Sequence, residues 1–298
     1  MIDRISQLLN SRWLINQEIA ISYLPALFAF MNGQRIDFSA SESQRLKPYF
    51  LSAKDGSINT STKYDIQSDQ ALSNSVAVIP IQSEILAWRS MELVSLISSI
   101  EENPNIIAIV FLVNSPGGMV FYTDIASACI ASMTKPNVAF VMNMAASAAM
   151  WMISGCNRII ASSPMDRFGS IGAMASILDY AKFLKEKLGI DMFEIYADKS
   201  IAKNINIRNL LNGDLTMEER TLAIREDLNF VNEFFHSAIQ NNLGISPDSE
   251  VFTGQIYNAE TAIQLGLAHE INTFEYAVNL AYSSGLKHSI HSFIHSNS

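Results

Sequence analysis

From residue 75 onward the chain alternates short β-branched apolar runs with stretches whose apolar residues recur at helical spacing. The runs "VAVIPI" (76–81), "IIAIVFLV" (106–113), "VAFVM" (138–142) and "RIIAS" (158–162) predict strands, and the segments near 90–102, 122–133 and 146–154 predict the helices between them. Strands that are apolar at nearly every position have no polar face to offer to water. Separated by helices, they predict a parallel sheet buried on both faces. A helix over 176–188 and a strand "MFEIYA" (192–197) continue the alternation. The stretch "LTMEERTLAIREDLNFVNEFFHSAIQNNLG" (215–244) then predicts a long amphipathic helix, with Thr216 as N-cap, Glu219 as its capping-box partner and Gly244 as the stop. Residues 258–271, "NAETAIQLGLAHEI", read as a short helix and turn leading into a strand.

This pattern divides the chain into three parts. Residues 1–74 form an arm, an amphipathic helix closing at Asn32-Gly33 followed by a polar linker; 75–275 form the α/β body; 276–298 form the end of a helix and a Ser/His-rich tail expected to fray. Asp3, Gln7, Gln17 and Glu18 interrupt the apolar N-terminus, so neither a signal peptide nor a spanning helix is expected, and the location expected is cytoplasmic. With 49% hydrophobic and 16% charged residues the chain can bury a large core, and its net charge of -9 excludes a general nucleic-acid binder. Cys129 and Cys156 both lie in apolar runs and read as reduced core thiols; the histidines are scattered or lie in the tail, so no metal and no cofactor is expected.

Three connections follow strands of this sheet. The first is "NSPGG" (114–118), where Gly117 and Gly118 permit backbone geometries that turn N–H groups outward at a strand's carboxyl end, the end at which open parallel sheets bind ligands. The second is "NMAAS", which places Ser147 at the first turn of a helix among Ala145, Ala146, Ala148 and Ala149. A hydroxyl there is exposed beside unpaired helix N–H groups, which suits attack on an acyl group; the competing role is a plain helix cap. The third is "GSIG" (169–172).

The ordered set of Ser-Pro-Gly-Gly, a serine flanked by small residues, Gly-Ser-Ile-Gly, a strand followed by lysines, and "TGQIYNAETAIQLGLAHEI" resembles the signal peptide peptidase A family of Ser/Lys peptidases over about residues 75–275. That family includes the bacteriophage prohead, or head-maturation, proteases, whose N-termini "LLNSRWLINQE" also resembles. The resemblance implies a crotonase/caseinolytic-protease-like spiral of parallel βαβ units that assembles into homo-oligomers. It implies Ser147 as nucleophile, the backbone N–H groups of Gly118 and Ala148 beside Gly117 as the oxyanion site, and Ser170 as the serine that orients a lysine amine. Spacing from Ser147 favours Lys199 as that lysine, and the Ser200-x-x-Lys203-Asn204 pattern favours Lys203. The chain departs from the family where "ASGG" or "ASAG" is usual, having Ala148-Ala149 after the serine; alanine at both positions is expected to narrow the cleft.

The function this implies is a serine endopeptidase with a Ser/Lys dyad, acting on phage capsid or scaffold proteins in the host cytoplasm or the prohead. A catalytically silent assembly protein on the same fold and a crotonase-type acyl-CoA enzyme are the alternatives.

Overall fold

The structure, a computed structural model, describes residues 13–14, 48–54, 57–61, 73–176, 186, 189, 195–205, 208–209 and 214–296. The expected N-terminal helix, nearly all of the helix expected over 176–188 and residues 192–194 of the next expected strand lie outside the described residues; 195–197 carry no strand. The chain divides into two compact units, one of Met1–Trp13 with Ala173–Glu233, the other of Leu14–Gly172 with Phe234–Ser298.

The second unit holds the sheet. Its strands are β1 (Tyr49–Lys54), β2 (Ser57–Ser61), β3 (Ser75–Gln82), β4 (Ile106–Ser115), β5 (Asn137–Ala146), β6 (Arg158–Ala161), β7 (Arg167–Gly169), β8 (Ile256–Asn258) and β9 (Glu270–Ile271). The spatial order is β8-β7-β5-β4-β3-β1-β2, with β6 beside β5 and β9 beside β6. All pairs from β3 through β7 are parallel; the β1–β2 hairpin and β8 add antiparallel edges. This mostly parallel, mixed α/β sheet fits the fold class that the resemblance implies. The helices α1 (Ala87–Glu102), α2 (Thr123–Ala131) and α3 (Ala148–Ile153) supply the crossovers.

Side chains alternate between two faces of each strand. Val76, Val78, Ala108, Val110, Val138, Phe140 and Ile160 share one face with Ala277, Val278 and Ala281 of a long helix, and all are buried. The opposite face carries Ala77, Ile79, Ile109, Phe111, Ala139 and Val141, also buried. The near-continuous apolar runs are therefore spent on two covered faces.

That long helix corrects the expected frayed tail. After α4 (Met217–Leu243) and α5 (Ala259–Gln264), α6 runs over Phe274–Ser296. It starts where Thr273 Oγ1 accepts from Tyr276 N–H (3.2 Å), and Phe274, Ala277, Val278 and Ala281 fall on one stripe. Phe274 meets Phe140 edge-on at 5.4 Å, and a Cβ at Gly285 would stand 2.6 Å from the Ile107 carbonyl oxygen, so only glycine lets the helix lie this close to β4. The Ser-rich composition concealed a helix whose stability comes from packing rather than propensity.

In the first unit, the described start of α4 shows the expected capping box: Thr216 N–H and Oγ1 both donate to Glu219, at 2.8 and 2.7 Å, and Glu219 N–H returns to Thr216 Oγ1 at 3.3 Å. In the second unit Gly244 closes the helix at φ 68°, its N–H bonded to Gln240. Both cysteines are free, Cys156 buried and Cys129 half-buried, and burial pushes both thiols up. Among the described residues no helix is long and apolar enough to cross a membrane, and no group of His, Cys, Asp and Glu could hold a metal.

Two histidines in this unit tie stability to pH. His269 Nδ1 accepts from Ile159 N–H (3.0 Å), and burial, then the nearby Arg158 charge, hold its pKa below the usual value; His236 packs on Phe252 (ring centroids 4.6 Å) and is lowered by burial. Since the native state resists these protons and the unfolded state takes them, the stabilisation is full above the unfolded value of about 6.5 and is lost as pH falls through the lower native values. Unfolding free energy measured in urea should fall between about pH 7 and pH 5. A His236→Gln, His269→Gln double variant should flatten that slope.

Candidate active site

The parallel register brings the carboxyl ends of four strands together. Gln82 of β3 pairs with Asn114 of β4, Ser115 of β4 with Ala145 of β5, and Ala146 of β5 with Gly169 of β7. The three loops singled out in the sequence therefore leave one edge of one sheet. Ser83, Asn143, Ser147 and Ser170 along this edge all have positive φ, each a strain of about 1–3 kcal/mol for a residue with a side chain.

Ser147 stands between β5 and α3 at φ 54°, ψ -121°, and its side chain makes no helix-capping hydrogen bond. The capping role considered from sequence is thus absent. Its N–H donates to the Gly169 carbonyl (2.9 Å), and its own carbonyl accepts from Trp151 N–H (2.9 Å). The helix behind it is rigidly held: Trp151 stacks on Phe235 at 4.7 Å with an 8° interplanar angle, and the Trp151 carbonyl accepts from both Ser127 Oγ (2.9 Å) and Ser154 Oγ (2.7 Å). One expectation is corrected here. Ser147 is 1% exposed rather than open at the edge.

Ala148 and Ala149 are both 0% exposed, as is every residue of α3 to within 2%. Their methyls fill the interior. Met150 and Met119 are equally core residues, while Phe121 is exposed.

The Pro-Gly-Gly loop is stitched to the chain that follows β3. Gly117 accepts from Ile85 N–H (2.8 Å) and donates to Ser115 Oγ (3.2 Å), and Ile85 accepts from Met119 N–H (2.8 Å). Gly117 (φ 101°) thus spends its N–H within the loop and its carbonyl on the chain after β3, and Gly118 must be glycine because a Cβ there would lie 2.0 Å from the Ile85 carbonyl oxygen. At the third loop Ser170 is half-buried, its N–H donates to Gln255 (2.8 Å), and the preceding Gly169 (φ 116°) leaves no room for a Cβ against that same carbonyl (2.4 Å).

In the first unit, Lys199 and Lys203 are both exposed, within the turns over 198–204, with Lys203 N–H bonded to Ser200. Beside them the Arg208 guanidinium lies 4.6 Å over the Tyr196 ring and donates to the Ile201 carbonyl.

Sequence reasoning missed Asp166. Buried at 3% exposure, its carboxylate accepts from Asn143 N–H (2.8 Å), Ser162 N–H (2.7 Å), Ser162 Oγ (2.9 Å) and Ser163 N–H (3.0 Å). It pins the point, Asn143 at φ 75°, where β5 leaves β6 and takes up β7 as partner. The available signal was an acid in the "SSPMD" turn between two strands, a composition indistinguishable from an ordinary surface loop.

Comparison with known proteins bears on residues 130–286, more than half of the chain, which match the model of peptidase family S49. This span contains Ser147, Ser170, Lys199 and Lys203 and begins beyond the Pro-Gly-Gly loop. The chain is 27% identical over 192 residues to a protein of Methanocaldococcus jannaschii named as a protease, covering 62% of this chain and 58% of that one. It is 29% identical over 198 residues to one of Buchnera aphidicola named as the protease SohB, covering 64% and 60%. The chain therefore spans about three fifths of the length of these relatives. The chloroplastic serine protease SPPA of Arabidopsis thaliana is 25% identical over 212 residues, covering 68% of this chain and 29% of that protein. Among solved structures, a ClpP1 variant from Listeria monocytogenes overlaps 67% of this chain and 94% of its own at 15% identity and a TM-score of 0.43.

The Asp166 clamp yields a test. Asp166→Ala leaves the N–H groups of Asn143 and Ser163 without this acceptor, while Ser162 N–H keeps the Val141 carbonyl (2.9 Å), and should destabilise the chain by about 1–3 kcal/mol in urea unfolding. An unfolding midpoint equal to that of the parent would show that Asp166 does not hold the β5 turn.

Proposed function

The chain belongs to peptidase family S49, and on that premise we propose that it is a serine endopeptidase in which Ser147 is the nucleophile and a lysine the base. The observation that carries this reading is the Ser147 backbone: a strained positive-φ serine, relieved of any capping duty, at the start of a buried helix and at the shared edge of three loops. Strain of this kind persists only where surrounding structure enforces it, and here Gly169 and the α3 packing do so.

In the proposed reaction Ser147 Oγ adds to the scissile carbonyl while a neutral lysine amine takes its proton. The carbonyl oxygen becomes an oxyanion facing the N–H groups of Gly118 and Ala148; the latter, at the first position of α3, has no partner within its helix. Collapse of the adduct expels the amine of the C-terminal product, which leaves with the lysine's proton, and water cleaves the acyl-enzyme by the same route. A solvated lysine is protonated at neutral pH and cannot act as base until burial lowers its pKa. Lys199 and Lys203 are exposed on the single chain, so the proposal requires a second copy of the chain to bury one of them, with Lys203 the first choice and Ser170 orienting its amine. No cofactor or nucleotide enters any step.

The substrate class proposed is a phage capsid or scaffold protein. Support for it is the resemblance of "LLNSRWLINQE" to the start of prohead proteases.

Purified parent chain should cleave a capsid or scaffold protein encoded in its own genome without added nucleotide. Ser147→Ala should lower turnover at least about 10³-fold and abolish labelling by a fluorophosphonate. One of Lys199→Met and Lys203→Met should match that loss while preserving the oligomer in sedimentation. Undiminished turnover in Ser147→Ala would overturn the nucleophile assignment; turnover surviving both lysine changes would remove the dyad.

A further inference from the structure

Beyond the nucleophile and its base, the backbone edge at Gly118 already has an occupant from the chain itself. Trp13–Leu14 and Gly118–Met119 form a two-stranded sheet of their own, apart from the main sheet. Leu14 belongs to the same compact unit as Gly118. A strand has two hydrogen-bonding edges, and Ile85 fills one edge of Gly118–Met119: its N–H donates to the Gly117 carbonyl (2.8 Å) and its carbonyl accepts from Met119 N–H (2.8 Å).

Peptide planarity puts both backbone groups of Gly118 on the other edge. In a trans peptide the carbonyl and the following N–H point in opposite directions. The 117–118 peptide aims its carbonyl at Ile85, so Gly118 N–H points away from Ile85; the 118–119 peptide aims its N–H at Ile85, so the Gly118 carbonyl points away as well. With the Ile85 edge taken, Trp13–Leu14 pairs on this second edge. An extended substrate that offers a carbonyl to Gly118 N–H adds itself as a strand to the same edge, and one N–H cannot serve both. Ser147 is covered too, at 1% exposed. Nucleophile and donor are therefore both closed in the single chain.

We propose that the Trp13–Leu14 strand is a built-in competitor of substrate: it occupies the second edge of Gly118–Met119 and leaves before an extended peptide presents its scissile carbonyl to Gly118 N–H. The inference rests on Gly118 N–H being an oxyanion donor to the Ser147 nucleophile, and it adds regulation by the chain's own N-terminal segment to that reading. It gives a physical task to "LLNSRWLINQE" (8–18), the stretch that contains the strand. The competitor is weak by construction. Two paired residues form few hydrogen bonds, each of modest net worth, so releasing the strand should change apparent substrate affinity by about 3–30-fold rather than switch the enzyme from off to on.

The test uses the full chain and compares the parent with a Trp13→Pro, Leu14→Pro double variant, in which proline removes both N–H groups of the strand. Kinetics on a fluorogenic peptide give the first readout. A competitor within the chain acts on the free enzyme only, so the variant should lower KM about 3–30-fold with kcat within about two-fold of the parent. Hydrogen exchange on the parent gives the second: saturation with a peptide boronate, which takes the place of substrate, should quicken amide exchange across residues 8–18. This second readout carries the test alone should the variant not fold. A KM equal to the parent's, or exchange across 8–18 unchanged by bound boronate, would overturn the competitor role while leaving the nucleophile assignment standing. Self-cleavage of the parent within 8–18, seen by intact mass, would make the strand a substrate and overturn it likewise. If neither parent nor variant cleaves peptide or is labelled by the fluorophosphonate at Ser147, both readings fall together.

Discussion

The hydrogen bond from Ser147 N–H to the Gly169 carbonyl, 2.9 Å long, ties the end of one strand to the end of another at the point where the first turns into a helix. Everything distinctive about this edge depends on it. A backbone at φ 54° and ψ -121° is unfavourable for serine, and an ordinary helix start would relax it by letting the hydroxyl cap the first turn. Here the N–H is held by β7, the carbonyl is held by Trp151 N–H, and the helix is pinned from behind by the Trp151–Phe235 stack. The residue is over-determined, so its hydroxyl is left to a purpose other than capping.

The other three strand ends are governed by the same economy of polar groups. Many backbone groups at this edge take a partner from a neighbouring segment: Asp166 gathers three N–H groups, Gly169 and Gln255 supply carbonyls to Ser147 and Ser170, and Arg89 collects the carbonyls of Gln82 and Glu84. Buried donors and acceptors left unpaired cost about 1–3 kcal/mol each, so such an edge either pairs nearly completely or does not form. The loops are therefore stiff in the direction that matters, holding strand end against strand end, even though most of their residues sit at positive φ or in short turns.

Legibility from sequence followed the range of the forces involved. The existence and order of β3, α1, β4, α2, β5 and α4 could be read because apolar periodicity is local, and so could the Thr216–Glu219 cap, which spans three residues. The exact extent of β5 could not. Its last residues, Met144–Ala146, pair with β7, and that pairing follows a turn set by a carboxylate 23 residues beyond Asn143. The C-terminal helix was hidden for a related reason: Ser, His and Gly in "YSSGLKHSIHS" argue for a loose tail, whereas the stripe from Phe274 to Ala281 and the close approach at Gly285 become meaningful only with β4 and β5 in place. At the site, the residue types and their order were readable, but burial was not. Ser147 was expected to stand open and is covered.

That covering changes how the alanines at 148 and 149 should be weighed. On sequence they depart from the "ASGG" or "ASAG" usual in the resembling family, and an added methyl facing a cleft would obstruct a peptide. In the structure both are wholly enclosed within α3, in a run from Ala148 to Ile153 that is buried throughout. Their effect falls on the helix rather than on the cleft: alanine costs about 1 kcal/mol less than glycine in a helix interior, so two of them stiffen the first turn behind the serine. A stiffer turn fixes the direction of the N–H groups at the head of α3, which favours holding a developing negative charge and disfavours rearrangement to admit substrate. On the proposed assignment of Ser147 as nucleophile, which is itself 1% exposed, admission of substrate is the step that such a helix makes harder.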